Sequence, residues 1–220
     1  MSRRGVFALC VAVTLVTGLV TSLWHRPQTY VRNYENVLGT SMSLKVTATS
    51  AAAVDRAEAV VLAEIDRHAK ILSGYDPSSE FSQWFRSHDD ARTVSPELFD
   101  VLSRFDVWRT RTHGALDPSA ETISRVWKAA AAANRLPNDA EISRAVADAE
   151  QTHWRLDYAA HTATHLTTAP LVLNSFAKSY IIDRAARAGF AIDGVRGIVV
   201  NIGGDLVRSE EHTSELQSRL

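Results

Sequence analysis

Near its C-terminal end the chain reads GIVVNIGGD, from Gly197 to Asp205. The apolar run predicts a buried strand, and the glycine pair that follows predicts a turn. Just upstream, residues 177–188 have a helical pattern, with Lys178 near the predicted helix start and Gly189 just past its predicted end. Helices and strands follow one another in mixed order, without the regular alternation or glycine fingerprint of a doubly wound dinucleotide fold. We therefore expect a single mixed α+β domain.

Working outward, period-two alternation predicts that the first strand follows Gly39, with inward side chains at Met42, Leu44, Val46 and Ala48. Ser50 is predicted to cap a helix that ends near Gly74. Its apolar positions are Val54, Ala57, Val61, Ile65 and Leu72. His68 lies on the same stripe, and we expect a core or boundary histidine there.

Ser95, Pro96 and Glu97 form a helix start, with a cap, a proline at the first position and an acid in the first turn. The predicted buried stripe of this helix is Leu98, Val101, Leu102, Phe105 and Trp108. Further helices are predicted over residues 123–133 and 139–150, and a hairpin over 154–158 and 164–167. His161 and His165 lie near the hairpin turn, and we expect exposed turn histidines rather than metal ligands.

Composition excludes several classes of function. The chain has 220 residues, 45% of them hydrophobic, and a formal net charge of -1. This is enough apolar material for a core, and the charge gives no basic footprint for nucleic acid. Cys10 is the only cysteine, so the chain has no disulfide framework and no cysteine-ligated metal site. Any metal must be held by oxygen or imidazole.

The two ends of the chain differ from its middle. Arg3 and Arg4 precede an apolar stretch over residues 5–24, so residues 1–27 are interpreted as a signal peptide or membrane anchor, with the anchor favoured. The domain is then expected on the periplasmic side of the inner membrane, or exported to the periplasm. From Arg208 the chain reads RSEEHTSELQS. We expect residues 208–220 to be a non-native tail, the natural protein to be longer, and the 197–202 strand to lack a native neighbour.

Five short segments fall where predicted elements end, which is where binding residues concentrate. They are LGT at 38–40, LSGYDPSSE at 72–80, GALDP at 114–118, AKSY at 177–180 with Asp183, and NIGGD at 201–205. The sequence contains no serine elbow, Walker loop, paired metal histidines on a helix or Cys–His pair.

The order and spacing of these segments resemble the ApbE-type FAD:protein FMN transferases over about residues 37–207. The resemblance implies a flavin transferase domain at 34–207 that is incomplete at its C-terminus. It implies that FAD is contacted by Leu38, Tyr75, Ala115, Leu116, Asp117, Val172 and Lys178. It also implies that the backbone carbonyl of Ser175 helps to bind Mg²⁺, while the family's distal metal motif lies beyond the end of this chain.

The side chains at these positions have suitable chemistry. Tyr75 offers a flat face to a flavin and a hydroxyl to a polar group. Asp117 could accept hydrogen bonds from a ribose or base, or only cap the helix after it. Lys178 could neutralise a phosphate near a helix N-terminus. The chain departs from the family pattern at Val172, where an aspartate is frequent, and at Asn174 and Ser179, which replace glycines.

The resemblance implies a Mg²⁺-dependent transfer of FMN from FAD to a threonine or serine hydroxyl, with release of AMP. The implied acceptor is a target flavoprotein of extracytoplasmic electron transfer; the catalytic base is not identified by the sequence. One alternative is hydrolysis of FAD to FMN and AMP, which Tyr75 disfavours because hydrolytic members tend to carry a smaller polar residue there. Another is a non-catalytic flavin-binding domain, which the combination of Tyr75, Asp117 and Lys178 disfavours.

Overall fold

The computed structural model describes residues 26–210 of the chain. The predicted α+β class is confirmed, with helices and strands in mixed order. In chain order the elements are β1 Gln28–Val37, β2 Thr40–Ala48, α1 Ala51–Leu72, α2 Glu80–Phe85, β3 Ala91–Thr93, α3 Pro96–Arg111, a 3-10 turn Pro118–Ala120, α4 Glu121–Ala132, α5 Asp139–Ala149, β4 Trp154–Asp157, β5 Thr162–His165, α6 Asn174–Phe190, β6 Val195–Ile202 and β7 Asp205–Glu210.

The predicted signal or anchor falls almost wholly outside the described residues, since residues 1–25 are not among them. Within 26–210, none of the helices has the length and apolar character that a bilayer span requires. The described part of the chain forms two compact units, one made of residues up to 63 and from 182 onward, the other of residues 64–181.

The first unit contains a four-stranded antiparallel sheet in the order β1-β2-β6-β7. The predicted β2 pattern is confirmed, because its four inward side chains are buried. The expectation that the 197–202 strand lacks a neighbour was wrong. β6 pairs with β2 on one side and with β7 on the other. A two-residue turn at Gly203 and Gly204, both with positive φ, joins β6 to β7, and such a turn suits the twist of a hairpin.

Sequence patterning missed strand β1, which precedes the expected first strand and pairs with β2 from Gln28↔Ala48 to Val37↔Thr40. β1 lies at the edge of the sheet, and none of its residues is fully buried. An edge strand of this kind needs no apolar face, so its sequence lacks the alternation that identifies a half-buried strand. Tyr34 and Glu58 hydrogen bond there through their side chains, and burial, followed by Glu58, raises the pKa of Tyr34 to about 12.

Helix α6 is longer at both ends than the sequence predicted, and Gly189 lies inside it. A Cβ at Gly189 would lie 2.6 Å from Ile198 Cδ1 and 2.6 Å from Val61 Cγ2. The glycine therefore permits a close approach of α6 to β6 and α1. The sequence signal that resembled a helix end was a packing requirement.

The second unit contains a small antiparallel sheet in the order β3-β5-β4 together with helices α2 to α5. Ser95 caps α3 as predicted, its side chain accepting a bond from the Leu98 amide at 3.2 Å. The predicted stripe of α3 is buried except at Trp108, which is 41% exposed. Trp108 lies one turn beyond the buried part of the helix, where Arg111 lies over its ring at 5.7 Å.

Three histidines of this unit were assigned environments from the sequence. His68 is fully buried, as expected for a core histidine, and its Nδ1 lies 2.8 Å from the Glu64 carbonyl oxygen. The expectation of exposed turn histidines was wrong. His165 is 1% exposed and packs against Trp84 and Phe85, while half-buried His161 stacks on a phenylalanine ring. β5 spans Thr162–His165, two residues earlier than predicted, and the rings of Trp84 and Phe85 cover His165 at the end of this strand.

Candidate functional site

The loop that presents Tyr75 is fixed by a network of serine hydrogen bonds. The Ser73 hydroxyl accepts bonds from the backbone amides of Tyr75 and Asp76, each at 3.1 Å. Ser79 donates from its hydroxyl to the Ser73 carbonyl at 2.5 Å and also caps α2. Ser78 donates to Asp76 from both its amide and its hydroxyl, which lowers the pKa of the Asp76 carboxyl. These bonds fix the backbone of the loop and leave the Tyr75 side chain exposed to solvent.

Tyr75 is 83% exposed, an unusual position for a large aromatic side chain. Its hydroxyl accepts a hydrogen bond from Asn174 Nδ2 at 3.0 Å. Asn174 is the first residue of α6, so this bond attaches the tip of Tyr75 to a helix N-terminus. One face of an orientated aromatic ring is thus available to a flat ligand.

The GALDP loop follows α3, whose C-cap residue is Thr112. His113 and Gly114 both have positive φ, which reverses the chain after α3. Thr112 Oγ1 accepts a hydrogen bond from the Leu116 amide at 3.0 Å, so the loop is held from within. Ala115 is exposed and Leu116 is half-buried, so both can be reached by a ligand.

Asp117 has a structural role that the sequence left open as an alternative. Its Oδ1 accepts bonds from the Ser119 amide at 2.8 Å and the Ser119 hydroxyl at 2.5 Å. Its Oδ2 lies 2.7 Å from Arg109 Nε, and its side chain is 7% exposed. Arg109 also donates through Nη2 to the carbonyls at the end of α5. The carboxylate is therefore a helix cap and half of an ion pair.

Val172 connects this loop to the segment before α6. Its amide donates to the Pro118 carbonyl at 3.0 Å, and it is half-buried between two buried leucines, Leu171 and Leu173. The alternation leaves the Val172 side chain on the more open side of the segment. A hydrocarbon side chain offers a ligand packing there, without the polar contact that an aspartate would provide.

Ser175 and Lys178 lie in the first two turns of α6. The Leu173 carbonyl accepts bonds from the amides of Phe176 and Ala177 at 3.0 and 2.8 Å, which fixes the helix start. Early helical amides and the helix dipole favour an anion at this end. Ser175 is exposed and Lys178 is half-buried.

The structure thus assigns seven of the eight predicted positions to the second unit: Tyr75, Ala115, Leu116, Asp117, Val172, Ser175 and Lys178. Within it, direct bonds join the Tyr75 loop to the start of α6, and the GALDP loop to Val172. Leu38 belongs to the first unit, in the two-residue turn between β1 and β2, with a φ of 49°. Sequence reasoning missed Asn174 as a partner of Tyr75, and only its departure from the family glycine marked it.

Metal ligands are not grouped in the described part of the chain. Residues 26–210 contain no cluster of three or more His, Cys, Asp or Glu side chains that could hold an ion. Mg²⁺ generally requires carboxylate ligands in addition to substrate phosphates. The Ser175 carbonyl, which in a helix normally accepts a backbone bond, does not make a magnesium site by itself. The described residues therefore do not fit the ion.

A cavity of about 250 Å³ adjoins Tyr75. Its walls come from the Tyr75 loop, from α2, from α4 and from the segment before α6. The lining side chains combine aromatic rings, two arginines and small or apolar groups: Gly74, Tyr75, Pro77, Phe81, Ser82, Phe85, Arg86, Arg125, Pro170 and Leu171.

The family model described as the ApbE family matches residues 38–216. The chain belongs to the ApbE family. No curated protein matches the chain. Among solved structures, the fold is similar to that of the flavinyl transferase ApbE of Pseudomonas stutzeri in its apo form, with 20% identity and a TM-score of 0.66 over 84% of this chain and 61% of that one.

Two further ApbE structures give similar values. The flavin transferase ApbE from Vibrio cholerae has 18% identity and a TM-score of 0.66, over 82% of this chain and 59% of that one. The ApbE protein of Thermotoga maritima has 20% identity and a TM-score of 0.66, with the same two coverages of 82% and 59%. At these identities the likeness shows the ApbE fold. The chain spans about three fifths of the length of the ApbE proteins it matches.

Proposed function

We propose that the protein is a FAD:protein FMN transferase that modifies a threonine or serine of a target flavoprotein. Membership in the ApbE family carries the proposal, and the P. stutzeri and V. cholerae proteins with this fold are named as flavin transferases. The exposed ring of Tyr75, held through its hydroxyl by Asn174, is the feature of this chain that best suits a flavin.

In this proposal FAD is the substrate, and its isoalloxazine ring stacks on the free face of Tyr75. Ala115, Leu116 and Val172 contribute packing around the nucleotide, and the contact of Leu38 stays a prediction from the family resemblance. Asp117 acts by holding the GALDP loop through Ser119 and Arg109. Lys178 and the first amides of α6 stabilise phosphate charge, because a cation and a helix N-terminus both favour an anion.

The reaction forms one phosphoester bond and breaks one phosphoanhydride bond. The acceptor hydroxyl oxygen attacks the phosphorus next to riboflavin, and the bond from that phosphorus to the bridging oxygen breaks. AMP leaves with the bridging oxygen, and the hydroxyl proton passes to a base that the described residues do not identify. The family resemblance implies Mg²⁺, whereas residues 26–210 contain no cluster of His, Cys, Asp or Glu side chains that could hold the ion.

We propose further that the enzyme is anchored in the membrane or exported to the periplasm. Its acceptors would be flavoproteins of extracytoplasmic electron transfer. The basic residues before the apolar stretch of residues 5–24 support that placement. The test is to fractionate cells that express the full-length protein. Recovery in the membrane fraction supports an anchor, recovery of a shortened protein in the periplasm supports cleavage, and recovery in the cytoplasm contradicts both.

FAD binding is tested by flavin fluorescence with the full-length protein and two tyrosine variants. Tyr75→Ala should weaken FAD binding by about tenfold, because it removes a stacking surface worth about 1–1.5 kcal/mol. Tyr158→Ala is the matched control, since Tyr158 is also exposed, at 68%, and is not a predicted flavin contact. Equal FAD affinity in Tyr75→Ala and the unmodified protein would contradict the proposed flavin contact.

FAD hydrolysis is the second candidate, because water can replace the acceptor hydroxyl in the same displacement. The two reactions differ in what receives FMN. If AMP release from FAD requires a protein acceptor, transfer is supported. If AMP and free FMN accumulate at the same rate without an acceptor, the protein is a hydrolase.

A further inference from the structure

The cavity beside Tyr75 is lined by two positively charged side chains. Arg86 and Arg125 both line it, and no aspartate or glutamate is among its lining residues. Arg86 is exposed and, within residues 26–210, has no acidic partner. Arg125 is exposed, and its Nε lies 3.5 Å from Glu121, which is half-buried. An anion that enters the cavity would therefore meet the guanidinium of Arg86 and that of Arg125, and only the second also has a carboxylate nearby.

Arg86 is also held in position. Its Nη2 donates to the Pro77 carbonyl at 2.6 Å, which ties the guanidinium to the Tyr75 loop. A guanidinium has five N–H donors in a planar fork, so this single bond leaves donors for a carboxylate. Fixing the group beforehand reduces the side-chain entropy that would be lost when an anion binds.

The size and lining of the cavity favour a protein side chain over a whole nucleotide. Its volume of about 250 Å³ is below the range of about 300–1,000 Å³ usual for small-molecule sites. Its walls are rich in aromatic and arginine side chains, with Tyr75, Phe81 and Phe85 beside the two arginines. These residue types are the ones enriched where a protein partner docks.

We propose that this cavity binds a carboxylate side chain of the acceptor polypeptide. The inference rests on the proposed transferase function for the identity of the partner. An acidic residue near the modified hydroxyl would pair with Arg86 and Arg125, and the backbone around it would pack on the aromatic wall. Docking next to Tyr75 would bring the acceptor close to the flavin. The two arginines then select acceptors by charge, and neither of them is a predicted FAD contact.

The test measures peptide binding to the full-length protein by calorimetric titration, without FAD or Mg²⁺. The probes are a short threonine peptide with one aspartate and the same peptide with asparagine in its place. The expected result is about tenfold tighter binding of the acidic peptide, as for a charge-assisted bond of about 1.4 kcal/mol. Arg86→Gln with Arg125→Gln should abolish that preference. Arg144→Gln with Arg155→Gln removes the same charge from exposed positions outside the cavity and should retain it.

The proposal is overturned if the two peptides bind equally, if neither binds, or if the preference survives in the Arg86 and Arg125 double variant. FAD affinity, measured in parallel, should be the same in that variant and in the unmodified protein. A weaker FAD affinity would assign the arginines to nucleotide phosphates and also overturn it. Because peptide binding needs no turnover, absence of FMN transfer with a preserved charge preference would refute the proposed function alone.

Discussion

Asn174 Nδ2 donates a hydrogen bond to the Tyr75 hydroxyl at 3.0 Å, between residues 99 positions apart in the sequence. The bond connects an exposed loop aromatic to the first residue of α6. An exposed tyrosine without such a bond would sample several rotamers. The bond selects an orientation of the ring before any ligand arrives, which reduces the entropy lost on binding.

Removing this bond is expected to weaken FAD binding. Asn174→Ala should raise the Kd for FAD by about two- to tenfold, as for loss of one neutral hydrogen bond of about 0.5–1.5 kcal/mol. A double-mutant cycle with Tyr75→Phe, measured by flavin fluorescence, checks the cause. In the Phe background, Asn174→Ala should have little further effect. Additive effects of the two substitutions would mean that Asn174 acts through the helix start instead.

Replacing Asp117 is expected to lower the stability of the folded protein, because its carboxylate already has structural partners. Asp117→Ala removes the cap on the turn at Pro118–Ala120 and leaves Arg109 without its carboxylate. The expected loss in free energy of unfolding is about 2–4 kcal/mol, measured by urea denaturation. Asp66→Ala is the control, because Asp66 pairs with Lys70 at the surface and should cost under about 0.5 kcal/mol. Equal losses in the two variants would contradict the structural role of Asp117.

Gly189→Ala is expected to lower the free energy of unfolding, which is the opposite of the usual effect of replacing a glycine inside a helix. Glycine to alanine inside a helix ordinarily stabilises by about 0.5–1 kcal/mol. Here the added Cβ would lie 2.6 Å from side-chain atoms of both Val61 and Ile198, so Gly189→Ala should destabilise by about 1–3 kcal/mol. Ser179→Ala, at an exposed position of the same helix, should be neutral or stabilising. A more stable Gly189→Ala variant in urea denaturation would contradict the close packing of α6.

Buried histidines predict loss of stability in mild acid. Burial lowers the pKa of His165 and of His153 below the ordinary value of 6.5. Between 6.5 and the folded-state pKa, the unfolded chain binds more protons, so the free energy of unfolding falls as the pH falls through that window. The stabilisation is fully present above pH 6.5, where both states are neutral.

The measurement for this prediction is the thermal unfolding midpoint across the window below pH 6.5. His165→Phe keeps a ring in the pocket formed by Trp84 and Phe85 and should show a shallower decline than the unmodified protein. His113→Asn is the control, since His113 is exposed and asparagine tolerates its positive φ. An unchanged decline in His165→Phe would show that His165 does not contribute to the acid sensitivity.

Much of the fold was predictable because buried apolar residues recur at regular spacing in the sequence. β2 alternates and α1 and α3 carry apolar stripes, so their existence and approximate limits follow from residue spacing. β1 was not predictable in this way, since an edge strand buries no complete face. The burial of His165 was not predictable from its position near a turn, because the rings that cover it, Trp84 and Phe85, come from a distant part of the sequence.

The candidate site was predictable only in part, and for a different reason. The motif segments marked loops at element ends, and the fold assigns seven of the eight positions to one unit. The positions of the motifs in the sequence did not reveal the hydrogen-bond partners of their residues. No sequence pattern links Asn174 to Tyr75, or Arg86 to the Pro77 carbonyl. For Asp117 the cap was visible in the sequence, whereas the Arg109 partner was not.

The central claim, transfer of FMN to a protein, is tested most directly by the intact mass of the acceptor. The full-length protein is incubated with FAD, Mg²⁺ and a candidate extracytoplasmic flavoprotein. The intact mass of the acceptor is measured by mass spectrometry before and after the incubation. The account predicts an increase equal to FMN minus one water, located on a threonine or serine, with one AMP released per modified acceptor and no increase after chelation of Mg²⁺. An unchanged acceptor mass while FAD is converted to free FMN and AMP would contradict it.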